Sequence, residues 1–547
     1  MRFLHGRRCL TLPHILLLGI FSSARTAGQE IPHLDRARGS AQLIVGGKPF
    51  VIFGGELGNS SAGTAEQADS ILPRLARAHL NTVLMPVAWE QLEPVEGKFD
   101  FAILDHWVEQ ARAQRLHLVL LWFGSWKNAF SSYTPDWVKR NPKRFPRAVA
   151  PDGHPYEILS TLSKDNREAD ARAFRVLMRH LKEFDGQQET VLMVQVENEV
   201  GVLGSGRDHS AEADRLFNGP VPESLVQYLR AHQEWLPAEM SHTWNASGKT
   251  WHGVFGERAP EIFMAWNYAR YIGQVVEAGK SEYALPMFMN AQLPAPLERA
   301  GEYPSGGPHP DNLEIYRAGA PAIDFYGPDI YWPNFEYWVQ RYSEQDDPVF
   351  VPEARPDAGP FNAFYAYGQA RAFGFSPFAV DSLPDVEKEG DESKNPLAQS
   401  YAVLHEVEDL LPQAQREGRT RGIVLHSSNS RPAQTVSLGG FLFTATLARS
   451  WPARTLLQDD GAMIVLQTAQ DEFLIGGTAL SITVSMDVDE KQGIAGIASV
   501  EEGTRTNGKW TTLRRLNGDQ DNQGRTISLP DHQCKLLRVK LYTIPAK

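Results

Sequence analysis

The sequence predicts a (β/α)8 barrel followed by an all-β, sandwich-like module, and three observations predict it. Up to about residue 412, eight short apolar runs alternate with helix-like segments. Polar and aromatic residues collect just after those runs, where a parallel barrel keeps its functional residues. From about residue 420 the chain changes to strand-like runs punctuated by Gly, Asn and Asp, as in "LNGDQDNQGRT". An open α/β sheet is the alternative for the first part. The count of eight and the regular polar ends argue for the closed form.

The first run is Phe50-Val51-Ile52-Phe53, ending at Gly54-Gly55-Glu56, and residues 65–78 then read as a helix. Thr82-Val83-Leu84-Met85 is a second strand, ending near Trp89-Glu90, before a helix over 103–114. Residues 116–123 form the third strand, ending at Gly124-Ser125-Trp126-Lys127-Asn128, with a helix over 169–184 after it. The fourth strand, 191–197, is apolar and rich in β-branched residues. A long region with helices around 222–235 and 260–279 precedes Pro286-Met287-Phe288-Met289, which ends at Asn290. Ile323-Asp324-Phe325-Tyr326 leads into Asp329-Ile330-Tyr331-Trp332, and Val349-Phe350-Val351 ends at Pro352-Glu353. Residues 373–380 make the eighth strand, and 397–411 the closing helix. In the β module, strands are expected at 422–425, 434–447, 462–467, 480–486, 510–513 and 535–542.

Residues 1–24 read as a secretory signal: Arg2, Arg7 and Arg8, then an apolar stretch, then Ser22-Ser23-Ala24. The expected division is therefore a signal over 1–24, a barrel over 25–415 and a β-sandwich over 416–547, with "AQREGRTR" as the linker. A periplasmic or secreted location follows from that signal. Its removal leaves Cys534 as the one cysteine, so no internal disulfide is expected. No later stretch is apolar and long enough to span a bilayer. The net charge of −12 argues against a nucleic-acid surface.

The stretch "VLMVQVENEVG", residues 191–201, places Glu197, Asn198 and Glu199 at the end of a buried run. Ionised carboxylates are costly there unless paired, partly solvated or used. Glu353 ends the seventh strand, 154 residues further on. A barrel would hold both ends over one mouth. Two facing carboxylates suit glycoside hydrolysis, in which one protonates the leaving oxygen and the other attacks the anomeric carbon. Asn198 could bond a sugar hydroxyl beside them. Glu197 is expected to support the site, sharing a face with Glu199 if the strand stays regular.

"VQVENEVG" resembles the acid/base motif of glycoside hydrolase family 35, the β-galactosidases. "NTVLMPVAWEQLEPVEGKFDF" resembles that family's second-strand segment, and "VFVPEA" the nucleophile strand of its wider clan. The resemblance covers roughly residues 40–390. It implies that Glu199 is the acid/base, that Glu353 is the nucleophile and that anomeric configuration is retained. It also implies an exo-acting β-galactosidase, here for carbohydrate side chains of the xyloglucan type. Three features depart from the family: "EQLEP" after the second-strand Trp, "WFGSWKNAFSSYTPDW", which lacks an Ala-Glu-Trp, and the lack of a Tyr closely following Glu353. Galactose contacts therefore rest on position alone, with Glu56, Trp126, Lys127, Asn128, Asn290 and Tyr331 as candidates. Tyr331 could instead bond Glu353.

No metal or other cofactor is expected. His405-Glu406 starts like a zinc helix motif, but position 409 is Asp. Gly248-Lys249-Thr250 lacks the upstream glycine of a phosphate loop, and Gly-x-Ser-x-Gly is absent. The rivals are another retaining β-glycosidase of the clan and a carbohydrate-binding protein on a dead barrel. The β module is expected to brace the barrel rather than bind glycans.

Overall fold

The structure, a computed structural model, describes residues 30–36, 40–344, 347–388, 391–428, 432–450, 452–487 and 493–545. The expected signal, residues 1–24, lies outside the described residues. The barrel strands are β1 (Ile52–Glu56), β2 (Thr82–Ala88), β3 (His117–Lys127), β4 (Val191–Asn198), β5 (Met287–Gln292) and β6 (Phe325–Ile330). β7 comes in two pieces, Phe350–Val351 and Glu353–Ala354, and β8 is Gly374–Phe375. All neighbouring pairs are parallel. The first piece of β7 pairs with β8 and the second with β6. Pro352 stands between them and has no N–H to give the ladder. One strand thus forms both ends of the sheet, and the barrel closes.

The helices lie outside: α1 (Ala65–Arg77), α2 (Ala102–Ala113), α3 (Lys164–Phe184), α4 (Ala259–Lys280), α5 (Leu313–Gly319), α6 (Phe335–Tyr342), α7 (Gly359–Gly368) and α8 (Pro396–His405). In α1, Thr64 and Gln67 make reciprocal capping bonds, and Ala68, Ile71, Leu72 and Leu75 put one face against the barrel. The barrel interior is filled, largely by aromatic rings. Phe288 stacks on Phe325 at 4.9 Å and Phe350 on Phe373 at 5.4 Å, beside Ile52, Leu84, Val119 and Leu192. A three-stranded antiparallel sheet (His33–Asp35, Gln42–Val45, Lys48–Phe50) adds Leu43 to this cluster.

Several expected boundaries shift. Phe50 belongs to the antiparallel sheet, and the first barrel strand runs through Gly54-Gly55 to Glu56. The regular part of the eighth strand is two residues long, but the chain stays bonded to both neighbours through Phe378. Ser376 N–H donates to the Val351 carbonyl at 2.9 Å, Glu56 N–H to that of Pro377 at 2.8 Å, and Phe378 N–H to that of Ala354 at 2.9 Å, before a 3-10 turn at Val380–Ser382. Among the described residues, no helix is long and apolar enough to cross a membrane.

The β module has two sheets. One holds β9 (Thr420–His426), β12 (Asp460–Gln467), β13 (Glu472–Thr478), β18 (Lys535–Pro545), β15 (Gly493–Thr506) and β16 (Lys509–Leu516), in that order. The other holds β10 (Ala433–Leu438), β11 (Phe441–Leu447), β14 (Leu480–Met486) and β17 (Ile527–Ser528). The run expected over 434–447 is thus a hairpin turning at Gly439-Gly440, both with positive φ. Residues of the larger sheet alternate between two cores. Ile423, Leu425, Met463, Val465, Phe473 and Ile475 face the smaller sheet. Val424, Ala462, Ile464, Leu466 and Leu474 join the core of the barrel and its helices.

Candidate active site

The two carboxylates separated by 154 residues in sequence meet at the carboxyl ends of the barrel strands. One oxygen each from Glu199, Asp329 and Glu353 lie within 4.8 Å of one another, and all three residues are buried. Asp329 and Glu353 are register partners on β6 and β7.

Glu353 is held by three donors. Asn198 Nδ2 and Asn290 Nδ2 each reach Oε1 at 3.2 Å, and the Tyr331 hydroxyl donates to Oε2 at 2.8 Å. Asn290 also donates to Asp329 at 2.7 Å and accepts the Glu199 backbone N–H at 3.0 Å. One amide therefore ties strands β4, β6 and β7 together. Lys127 Nζ donates to Asn198 Oδ1 at 2.9 Å, which turns the amide's other end toward Glu353. Asn128 Nδ2 donates to the Glu199 carboxylate, and Ala129 N–H to its backbone oxygen at 3.1 Å.

Glu197 and Glu199 both have positive φ, 63° and 43°. Such a conformation costs a non-glycine residue about 1–3 kcal/mol and persists where the surroundings enforce it. The strand is therefore not regular here, and the expectation that the two glutamates share a face fails. Glu197 turns to β3. There the pairing with β4 jumps from Trp122↔Val196 to Lys127↔Asn198, so a bulge of extra residues stands out from the ladder. The N–H groups of Ser125 and Trp126 in that bulge donate to the Glu197 carboxylate at 3.1 and 2.7 Å. Asp170 on α3 lies against the same carboxylate and accepts from Ser125 Oγ at 2.6 Å and Trp122 Nε1 at 3.0 Å. Burial first, then the Asp170 charge, pushes the Glu197 carboxyl well up.

Burial raises the Glu199 carboxyl to about 7, with the Glu353 charge adding to it. The Lys127 ammonium and bonds from Asp329 and Asn128 oppose the rise. Burial also lifts Asp329 well above the usual carboxylate range, again helped by Glu353. Glu56 is fully buried and raised in the same way, by burial and then by Glu353. Neither of its oxygens accepts a bond from a donor among the described residues. Beside Glu353 it can bond only as the protonated acid.

A cleft of about 320 Å³ opens over this cluster, lined by Lys127, Asn128, Glu199, Asp329, Tyr331, Trp332 and Glu353, together with Asn59, Gln292, Leu293 and Phe378. A larger groove of about 640 Å³ on the barrel flank, between Trp235 and Tyr337, holds none of these convergent carboxyls.

Of the residues picked out from sequence, Glu199, Glu353, Asn198, Lys127, Asn128, Asn290, Tyr331 and Glu56 gather here. Trp126 does not. It is fully buried, its indole N–H bonds the Leu159 carbonyl at 3.2 Å, and its ring packs edge-on against Tyr268 and Tyr271 on α4. The bulge turns it outward, between barrel and helix, so it is a core residue and not a sugar platform. Glu56 sits beneath the cleft rather than in its lining. Asp329, Trp332 and Phe378 were not singled out. An acid inside the buried run "FYGPDI" was the available signal for Asp329.

Residues 59–260 match glycoside hydrolase family 42, described as beta-galactosidase. Residues 397–528 match a domain of unknown function, DUF5597. The first match runs from the end of β1 into α4 and includes Glu199, while Glu353 lies beyond it. It indicates family 42 rather than family 35, which the motifs resemble. Curated proteins give no significant match. Solved structures with a similar trace include the polyextremophilic beta-galactosidase of the Antarctic haloarchaeon Halorubrum lacusprofundi, at 16% identity and a TM-score of 0.42, covering 64% of this chain and 58% of that one. The beta-galactosidase of Bacillus circulans sp. alkalophilus has 15% identity and a TM-score of 0.43, covering 66% and 57%. The beta-1,4-D-mannanase of Cryptopygus antarcticus has 14% identity and a TM-score of 0.40, covering 67% and 93%. The chain spans less than two thirds of the length of these beta-galactosidases.

Proposed function

We propose that this protein is a retaining β-glycosidase that removes terminal β-galactose from oligosaccharides through a glycosyl-enzyme. The approach of the Glu199 and Glu353 carboxylates to within 4.8 Å carries this reading. Retaining enzymes hold their carboxyl pair about 5–5.5 Å apart, whereas inverting enzymes need about 6.5–9.5 Å to admit water.

In the first step Glu353 attacks the anomeric carbon while Glu199 gives its proton to the departing oxygen. An ester forms at Glu353 and the glycosidic bond breaks. Esterification removes the Glu353 charge, which is one cause of the raised Glu199 carboxyl. Glu199 then becomes the stronger acid, and its carboxylate can take a proton from water as that water cleaves the ester. In this reading Asn198, which bonds Glu353 in the structure, contacts the sugar hydroxyl next to the anomeric carbon when substrate is bound, and Tyr331 steadies the nucleophile.

The galacto preference is supported by the family matched over residues 59–260. Galactose-capped xyloglucan side chains are the favoured natural substrate, and a periplasmic or secreted location accords with the signal read at residues 1–24.

The test is Glu353→Gly with azide and a reactive aryl β-galactoside. The expected product is a glycosyl azide of inverted configuration, with hydrolysis reduced by about a thousandfold or more. Undiminished hydrolysis by the variant would remove Glu353 from the mechanism. A parallel panel of aryl galactosides, glucosides and mannosides identifies the sugar.

A further inference from the structure

Large apolar side chains exposed to water gather at one end of the barrel. Phe130 follows β3 and is 45% exposed, Leu297 follows β5, and Tyr331 and Trp332, each 37% exposed, follow β6. Tyr331 bonds the nucleophile. Phe130 and Trp332 have no part in the chemistry described above.

Phe130 is placed by a tight turn. Lys127 N–H donates to the Phe130 carbonyl at 2.7 Å, and Phe130 N–H returns a bond to Lys127 at 2.9 Å. Asn128 and Ala129 between them both have positive φ, at 50° and 56°, as a two-residue hairpin turn requires. Directly paired residues of an antiparallel ladder project from the same face. Lys127 projects into the site, to Asn198, so Phe130 rises on that side as well. The turn is pinned to the acid: Asn128 bonds the Glu199 carboxylate and Ala129 its backbone. Phe130 thus directly follows the two residues that hold Glu199, the group proposed to protonate the leaving oxygen, and so belongs to the leaving-group side of the mouth.

Trp332 lines the cleft itself. Its indole N–H donates to the Leu293 carbonyl at 3.1 Å, which fixes the ring with part of its surface open. Strands β3 and β6 stand three places apart in an eight-stranded ring, so the two aromatics rise from different sides of the mouth. Fixed aromatic surface is costly to leave in water and suits the apolar C–H face of a pyranose, whose hydroxyls stay free to bond at the rim.

Resting on the glycosidase reading, we propose that Phe130 and Trp332 form a subsite for the sugar on the leaving-group side, so that the enzyme selects neutral oligosaccharides over simple glycosides.

The experiment compares kcat/KM for two substrates of the full-length protein. One is the glycosyl fluoride of the sugar the aryl panel selects, whose leaving group is a single atom. The other is a disaccharide with the same terminal sugar. Phe130→Ala and Trp332→Ala should each lower kcat/KM on the disaccharide by about tenfold more than on the fluoride. Phe130→Tyr, which keeps the ring, should restore most of the difference. Equal losses on both substrates, or a Tyr variant as impaired as the Ala variant, would overturn the subsite. A wild-type enzyme that cleaves neither substrate would overturn the glycosidase reading, and the subsite with it.

Discussion

In the proposed mechanism Glu199 holds a proton when substrate arrives and releases it as the bond breaks. Its carboxyl, raised to about 7 by burial and by Glu353, suits both steps near neutral pH. The group is protonated below that value and ionised above it. kcat/KM should therefore fall above about pH 7, tenfold for each further unit, in a pH–rate profile with a glycoside of poor leaving group. A flat profile to pH 9 would deny Glu199 the acid role. Asp329 tests a different point. Burial and the charges around it raise its carboxyl and favour the protonated form, with one oxygen bonded by Asn290 and the other without a donor among the described residues. An amide has the same shape and no charge. Asp329→Asn should lose about tenfold less kcat/KM than Asp329→Ala, and equal losses would show that the ionised form is needed. Glu199 and Glu353 were legible because each acid ends an apolar run. Asp329 lies within its run, where an acid reads as a lapse in the strand until the neighbouring strand supplies Asn290.

The β3 bulge decides how the site is built. Three orders of structure meet there: the break in the ladder, the two exposed N–H groups and the Glu197 carboxylate that takes them. Gly124 is required at its start, because a Cβ would lie 2.7 Å from Glu197 Oε1 and 2.3 Å from Trp122 Nε1. Glu197→Ala would leave both N–H groups buried and unbonded, at about 1–3 kcal/mol each. Thermal melting should show a large drop in midpoint. Glu197→Gln, which keeps an acceptor, should fall less far. An unchanged midpoint for the Ala variant would mean that the bulge is held by other contacts. Alternation in the sequence could not reveal this bulge. It assigns Trp126 and Glu197 as if both strands were straight, and so it sent Trp126 into the cleft and put Glu197 on the face of Glu199. The break at Pro352, by contrast, is visible in the sequence, since proline cannot serve both neighbours of a closed barrel.

At the scale of the whole molecule, the β module shares a core with the barrel. Residues of the larger sheet that point away from the sandwich lie among α7, α8 and the barrel helices, and Arg505 pairs with Asp409 beyond α8. Sequence reading found the module but missed β13, β15 and the two-residue β17. "EFLIGGT" ends in paired glycines, and "GIAGIASVEEGTRT" mixes glycines with acids that are paired by Arg514, Arg515 and Arg538 only in the fold. Those glycines and acids hide a strand from a reading based on alternation. Barrel and module meet closely where α7 lies against β9 and β12. A Cβ on Gly422 would stand 2.6 Å from the Phe364 carbonyl and 2.9 Å from Gln369 N, both backbone atoms that cannot swing aside. Gly422→Ala must part the helix from the strand and open the shared core. The expected cost is about 1–3 kcal/mol, read as a lower midpoint of a single melting transition. kcat/KM of the folded enzyme should hold at its wild-type value, because the neighbours that Cβ would meet, Phe364, Tyr365 and Gln369, do not line the cleft. Two separate transitions, with only the module's shifted, would show that the barrel stands without its brace.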